Sequence, residues 1–88
     1  MAGSHQADDA RRRRLRWRSR RGLLENDLVF ERFFDRYEES LTDDDVAGLD
    51  ELLGLTDNEL LDLILGRTEP GQDASPQARR VLGMLREV

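Results

Sequence analysis

The apolar residues between Leu23 and Leu41 recur at the spacing of one helix face, and this spacing constrains the fold more than any other feature. At about 100° per residue, one face carries a stripe of leucine and aromatic side chains, namely Leu23, Phe30, Phe33, Phe34, Tyr37 and Leu41. No stretch alternates apolar and polar residues with a period of two, so strands are not expected. The pattern predicts a long, core-facing helix in an all-α protein.

Two leucines of this helix, Leu24 and Leu28, lie off the stripe, near its opposite side. Two explanations remain open. We expect a second helix to cover both side chains, because uncovered leucines expose apolar surface to water. The alternative is that they are exposed for a partner.

The remaining helices are marked by capping residues. Thr42 precedes three aspartates, Thr56 stands three residues before Glu59 in a capping box, and Ser75 precedes Pro76, which suits the first helical position. Gly66 is expected to end the fourth helix, which is apolar on most sides and should lie centrally. With a further helix over residues 10–20, the sequence predicts a compact bundle of five short helices. Residues 1–9 are predicted to be a disordered N-terminus and residues 10–88 a single helical domain.

The composition argues against an enzyme. A chain of 88 residues has a small core, with little interior to spare for a catalytic cavity. Cysteine is absent and His5 is the single histidine, so thiolate or histidine metal sites and a nucleophile–base pair are not expected. No apolar run approaches the roughly 20 residues that cross a bilayer, so we expect no membrane insertion.

Charge is divided sharply along the chain. Residues 1–21 contain eight Arg and two Asp, a net charge of +6, whereas residues 22–88 contain six Arg and 17 acidic residues, a net charge of −11. Such asymmetry predicts a basic element for a partner, joined to an acidic body.

Three interpretations of the basic segment, residues 11–21, remain open on the residues alone. Clustered arginines with Trp17 could bind nucleic acid, although the acidic body would repel a polyanion. The arginines could instead pair with the protein's own acids, with Trp17 in the core. Finally, the segment could dock a protein, because Trp and Arg are the residues most enriched at interface hot spots.

The motifs of this segment resemble a known family, the FAD assembly factors of succinate dehydrogenase. That family carries Trp-Arg in an Arg-rich first helix, then Arg-Gly-x-x-Glu and an acidic residue two positions further on. The corresponding residues here are Trp17-Arg18, then Arg21-Gly22-Leu23-Leu24-Glu25, and Asp27. The resemblance runs from about Arg11 to Arg67. One departure is Ile64, where family members often carry an aromatic residue, and it puts in doubt one packing contact or a peripheral binding feature, but not the resemblance itself.

The resemblance implies a five-helix protein that binds the flavoprotein subunit of succinate dehydrogenase, and often that of fumarate reductase. In that partner a histidine becomes bonded to the flavin 8α carbon, and the chemistry belongs to the partner and its FAD. The assembly factor is then not an enzyme and has no cofactor of its own. The resemblance implies partner-binding roles for six motif residues: Trp17, Arg18, Arg21, Gly22, Glu25 and Asp27. From the residues themselves we expect Arg14 to anchor the same contact beside Trp17.

We accordingly predict a cytoplasmic bacterial assembly chaperone that is a monomer when free and binds neither nucleic acid nor membrane. The alternative from another class is a small nucleic-acid-binding protein that uses the same Arg-rich helix.

Overall fold

The structure is a computed structural model that describes residues 6–20 and 22–88, and these residues form five helices and no strand. The helices are α1 (Asp9–Arg18), α2 (Leu24–Tyr37), α3 (Asp43–Leu53), α4 (Asp57–Ile64) and α5 (Pro76–Glu87). The prediction of an all-α bundle of five short helices is confirmed. None of the helices in these two ranges has both the length and the apolar character that a membrane crossing requires.

Side-chain caps fix the start of three helices as predicted. The Thr42 hydroxyl accepts a hydrogen bond from the Asp45 amide, and the Asp45 carboxylate accepts one from the Thr42 amide, both at 3.1 Å. Thr56 and Glu59 form the same capping box at the start of α4. Ser75 accepts from the Ala78 amide at 3.0 Å and caps α5. These bonds satisfy amides that a helix N-terminus otherwise leaves unpaired.

The first helix begins one residue earlier and ends two residues earlier than predicted. The Asp8 carboxylate accepts from the amides of Ala10 and Arg11 at 2.9 and 3.1 Å, so Asp8 is a cap that the sequence analysis missed. Of the segment predicted to be disordered, residues 1–5 lie outside the described residues. Gln6 donates to the carbonyl oxygens of Glu38 and Leu41, at 2.8 and 2.9 Å.

The second helix ends at Tyr37, four residues before the predicted end. The Ser40 amide donates to the Tyr37 carbonyl at 2.8 Å, which closes a turn and frees Leu41 from the helix. Leu41 nevertheless remains buried, as the stripe predicted. Phe30, Phe33 and Phe34 also lie in the core.

The pairing of α3 with α5 is the most extensive helix–helix contact in the described part of the chain. It depends on Gly48, because a Cβ atom added there would lie 2.4 Å from the Gln77 carbonyl oxygen. The face that α5 turns towards the core consists of the four residues predicted for it, Ala78, Val81, Leu82 and Leu85. The absence of a side chain at Gly48 therefore permits the close approach of the two helices.

The fourth helix is less central than predicted. Leu60, Leu63 and Ile64 are buried, but Leu65 is 54% exposed. Leu65 is the C-cap residue of α4, and Gly66 follows it with φ of +76°, so the chain turns away before Leu65 reaches the core. The prediction that Gly66 ends α4 agrees with this backbone conformation.

Candidate functional site

The Arg-rich helix α1 buries one apolar side chain in the core and is tied to the end of α2 by an ion-pair cluster. Leu15 is buried, and the Arg16 guanidinium contacts the carboxylates of Asp35 at 2.8 Å and Glu38 at 3.1 Å. The hydrogen bond with Asp35, followed by that with Glu38, raises the pKa of Arg16. These contacts fix which face of α1 turns towards the bundle.

The arginines of α1 divide into two groups according to the face on which they lie. Three of them pair with acids of this chain: Arg12 with Asp9, Arg16 as described, and Arg18 with Asp50 of α3. By contrast, the exposed side chains of Arg13 and Arg14, and that of Arg20 just after the helix, make no hydrogen bond or ion pair with another described residue. Internal pairing therefore accounts for one side of the helix and leaves the other side charged.

Trp17 lies on the outer side of α1 and is 73% exposed, so the interpretation that it is a core residue is wrong. The expectation that a second helix covers Leu24 and Leu28 is also wrong, because they are 66% and 44% exposed. Periodicity identified these two leucines as lying off the core stripe. It could not establish whether another element reaches them.

These three apolar side chains lie along one groove between α1 and α2, with a volume of about 490 Å³, which we call the Trp17 groove. Buried Phe30 and Phe34 lie beneath it. Its α1 wall, which continues to Arg20 just after the helix, carries basic residues, and its α2 wall, which continues to the C-cap residue Glu38, carries acidic residues. The basic residues are Arg13, Arg16 and Arg20, and the acidic residues are Asp27, Glu31 and Glu38. The groove therefore has an apolar floor between two walls of opposite charge.

The connection between α1 and α2 contains the glycine of the motif. Gly22 has φ of +89°, a conformation that side-chain-bearing residues rarely adopt, and an added Cβ would meet nothing within 4 Å. Glycine is therefore favoured here by the positive φ angle and not by a lack of space for a side chain. Gly22 is exposed, and so is Glu25, whose side chain makes no hydrogen bond or ion pair with another described residue.

A buried asparagine that the sequence analysis missed anchors the start of α2. Asn26 is fully buried, and its side-chain amide donates to the Asp57 carbonyl oxygen at 3.0 Å. This bond ties the first turn of α2, which carries Glu25, to the first residue of α4. Helical spacing could have revealed it, because Asn26 lies four residues before Phe30 on the core face.

The structure brings together only some of the predicted partner-binding residues. Trp17 and Asp27 line the Trp17 groove, and Gly22 and Glu25 are exposed near one end of α2. Arg14 and Arg18 project from other parts of α1, and Arg18 is engaged by Asp50. Arg21 lies outside the described residues. The groove adds nine lining residues that were not predicted as site residues, namely Arg13, Arg16, Arg20, Leu24, Leu28, Phe30, Glu31, Phe34 and Glu38.

Within the described ranges, no three His, Cys, Asp or Glu side chains cluster so as to hold a metal ion. A second surface groove, of about 430 Å³, lies between α3, α4 and the loop before α5. Its acidic residues are engaged in part by the chain itself, since Glu51 accepts from the Ser75 amide and Asp62 pairs with Arg67. The Trp17 groove is therefore the stronger candidate for a site.

Comparison with known proteins decides the family. A family model described as "Flavinator of succinate dehydrogenase" matches residues 13–88. The chain belongs to this family, Sdh5. The resemblance predicted from the Trp-Arg and Arg-Gly-x-x-Glu motifs is confirmed.

Curated relatives of this Sdh5 family member carry the name FAD assembly factor SdhE. The relative from Ralstonia nicotianae is 59% identical over 86 residues, covering 97% of this chain and 90% of the relative. The relative from Pseudomonas aeruginosa is 34% identical over 79 residues, covering 90% of each chain. That from Coxiella burnetii is 38% identical over 58 residues, covering 66% of this chain and 71% of the relative. No solved structure matches the chain.

Proposed function

We propose that this protein binds the flavoprotein subunit of succinate dehydrogenase and promotes covalent attachment of FAD to a histidine of that subunit. The observation that carries the proposal is the apolar surface of Trp17, Leu24 and Leu28, exposed next to Gly22 and Glu25. An exposed tryptophan among arginines is typical of an interface hot spot. Membership of a family described as the flavinator of succinate dehydrogenase supports flavinylation as the process in which this interface takes part.

The protein acts by orientation, not by chemistry of its own. Attack of a histidine on the flavin requires both groups to be held close and aligned, which lowers the entropic part of the barrier. Arg21, Gly22 and Glu25 brace the client around its flavin, and Trp17 and Arg14 anchor the contact. The protein is then not an enzyme and holds no cofactor, because the FAD and the reacting histidine belong to the client.

The complex is a transient heterodimer, and the free protein is a monomer. The flavoprotein subunit of fumarate reductase is a second client for the same surface. Arg18 and Asp27 lie at the edges of the contact. Asp27 lines the Trp17 groove. Arg18 pairs with Asp50 in the free protein, and in the complex it pairs either with Asp50 or with the client.

Flavinylation of the purified flavoprotein subunit by this protein, followed as ultraviolet fluorescence of the denatured band, tests the proposal. Glu25→Ala removes an exposed carboxylate in the first turn of α2 that makes no hydrogen bond or ion pair with another described residue, and Gly22→Arg places a large side chain at the contact. We expect both variants to reduce the rate of flavinylation at least tenfold, because a misplaced client loses the aligned geometry.

Two matched controls separate docking from folding. Glu87→Ala removes another exposed carboxylate, at the far end of α5. Gly66→Arg reproduces the strain, size and charge of Gly22→Arg, because Gly66 also has positive φ and open space around it. If folded Glu25→Ala and Gly22→Arg variants supported flavinylation as well as their controls, these residues would have no part in the mechanism.

The acidic wall of the Trp17 groove disfavours the alternative, nucleic-acid binding, because Glu31 would repel phosphates beside Trp17. Retention on DNA at physiological ionic strength, with a salt dependence that reflects several phosphates, would support that alternative.

A further inference from the structure

The walls of the Trp17 groove carry charges that the protein does not neutralise itself. Arg13 and Arg20 stand on the α1 wall and Glu31 on the α2 wall, and none of the three forms an ion pair or hydrogen bond with another described residue. Arg16 joins the two walls through its ion pair with Glu38 at 3.1 Å. The floor offers apolar surface, while its two sides offer opposite charges to an occupant.

The backbone around the groove determines what kind of segment can fill it. Both walls are helices, whose backbone amides and carbonyls are bonded within the helix, so there is no strand edge to which an extended peptide could add. An apolar groove between two helices instead accepts the apolar face of a third helix, as in other helix-in-groove complexes.

We propose that the Trp17 groove receives an amphipathic helix of the flavoprotein subunit, an inference that rests on the proposed function. The apolar face of that helix lies on Trp17, Leu24 and Leu28. One edge of the helix carries acidic residues next to Arg13 and Arg20, and its other edge carries a basic residue next to Glu31. The two walls thereby specify which residue types the bound helix carries and which of its edges faces α1 and which faces α2.

The charge pattern distinguishes this occupant from a phosphate-bearing one. A nucleic acid or an anionic lipid surface would gain from the α1 arginines but would be repelled by Glu31. Changing Glu31 to a basic residue therefore has opposite effects on the two kinds of occupant. It weakens binding of a helix with a basic edge and strengthens binding of a polyanion.

Charge reversal on each wall tests the proposal. Affinity for the purified flavoprotein subunit is measured for the wild type, Arg13→Glu and Glu31→Arg. Arg67→Glu and Glu87→Arg are controls that make the same changes in net charge on other surfaces. We expect each groove variant to weaken binding about tenfold, and more at low salt, because charges across an interface are complementary and screened by ions. The controls should change affinity less than twofold.

A photo-reactive residue in place of Leu28 identifies the occupant directly. The cross-link should map to a helical segment of the flavoprotein subunit with acidic and basic residues on opposite edges. A cross-link to a second copy of this chain, or to a loop or strand of the subunit, would overturn the proposal. So would equal affinities of the groove variants and their controls, or tighter binding by Glu31→Arg. These outcomes leave the proposed function intact if the wild type still binds, whereas loss of binding by the wild type itself contradicts the proposed function.

Discussion

Gly48 offers the sharpest test of the fold, because helix propensity and packing predict opposite effects for the same substitution. In an exposed helix interior, Gly→Ala stabilises a protein by up to about 1 kcal/mol. At Gly48 the new Cβ would lie 2.4 Å from the Gln77 carbonyl oxygen and 2.9 Å from the Ala78 amide nitrogen. Both atoms belong to the backbone of α5, so the clash can be relieved only by moving that helix away from α3.

Overpacking of this kind typically costs about 1–3 kcal/mol, and here it distorts the most extensive helix pairing of the described fold. The middle of this range is an overpacking cost of about 2 kcal/mol, and the gain in helix propensity offsets up to about 1 kcal/mol of it. We therefore expect Gly48→Ala to lower the free energy of unfolding by about 1–2 kcal/mol. In a domain of this size that corresponds to a fall in Tm of about 4–16 °C.

Urea unfolding followed by circular dichroism at equal protein concentration measures the effect. An unchanged slope of the unfolding free energy against urea concentration shows that the surface exposed on unfolding is the same. The matched control is Gly83→Ala in α5, where an added Cβ meets nothing within 4 Å. It should be neutral or stabilising. If Gly48→Ala were as stable as Gly83→Ala, α3 and α5 would not approach each other as closely as the structure indicates.

Two further predictions concern a buried acid and an exposed aromatic residue. Burial alone would raise the pKa of Asp45, but the hydrogen bonds from the Thr42 amide and the Arg80 guanidinium outweigh it and leave the pKa below its usual value. Because the folded pKa lies below the unfolded one, Asp45 stabilises the protein above the unfolded pKa and this contribution is lost as pH falls through the folded pKa. Asp45→Asn should therefore flatten the acid limb of a plot of stability against pH, and an unaltered limb would refute the assignment. Trp17→Ala should change unfolding stability by less than about 0.5 kcal/mol, because the side chain is 73% exposed, yet weaken client binding at least tenfold. A large loss of stability in that variant would place Trp17 in the core.

The elements of the fold were predictable where the information is local. A cap needs only the right residues three positions apart, so Thr42 with Asp45 and Thr56 with Glu59 could be recognised without any tertiary knowledge. Helix ends that depend on distant contacts were not predictable in this way. Leu41 lies in the core although α2 ends at Tyr37. The turn after α2 places Leu41 on the core side of the helix, as a continued helix would have done, so the spacing of apolar residues could not show where α2 ends.

The lining of the candidate site was less predictable, because it depends on the angle at which α1 crosses α2. The sequence indicates that Leu24 and Leu28 lie off the core stripe, but their exposure follows from α1 packing through Leu15 and not through Trp17. The same packing places Arg13 and Glu31 in the lining of one groove. No spacing in the sequence joins these two residues, since they belong to different helices.

The helical state of α1 is what makes a run of arginines suitable for a protein client. In an extended arm, all eight guanidiniums of residues 11–21 could gather on a single polyanion, and nothing would distinguish one arginine from the next. In the helix, Arg16 and Arg18 turn towards Asp35, Glu38 and Asp50, which pair with their charges. The outer face then keeps a few separated cations around one tryptophan, facing an acidic wall. Such a surface discriminates by shape and by the sign of charge at each position, which a folded protein can match and a uniform polyanion cannot.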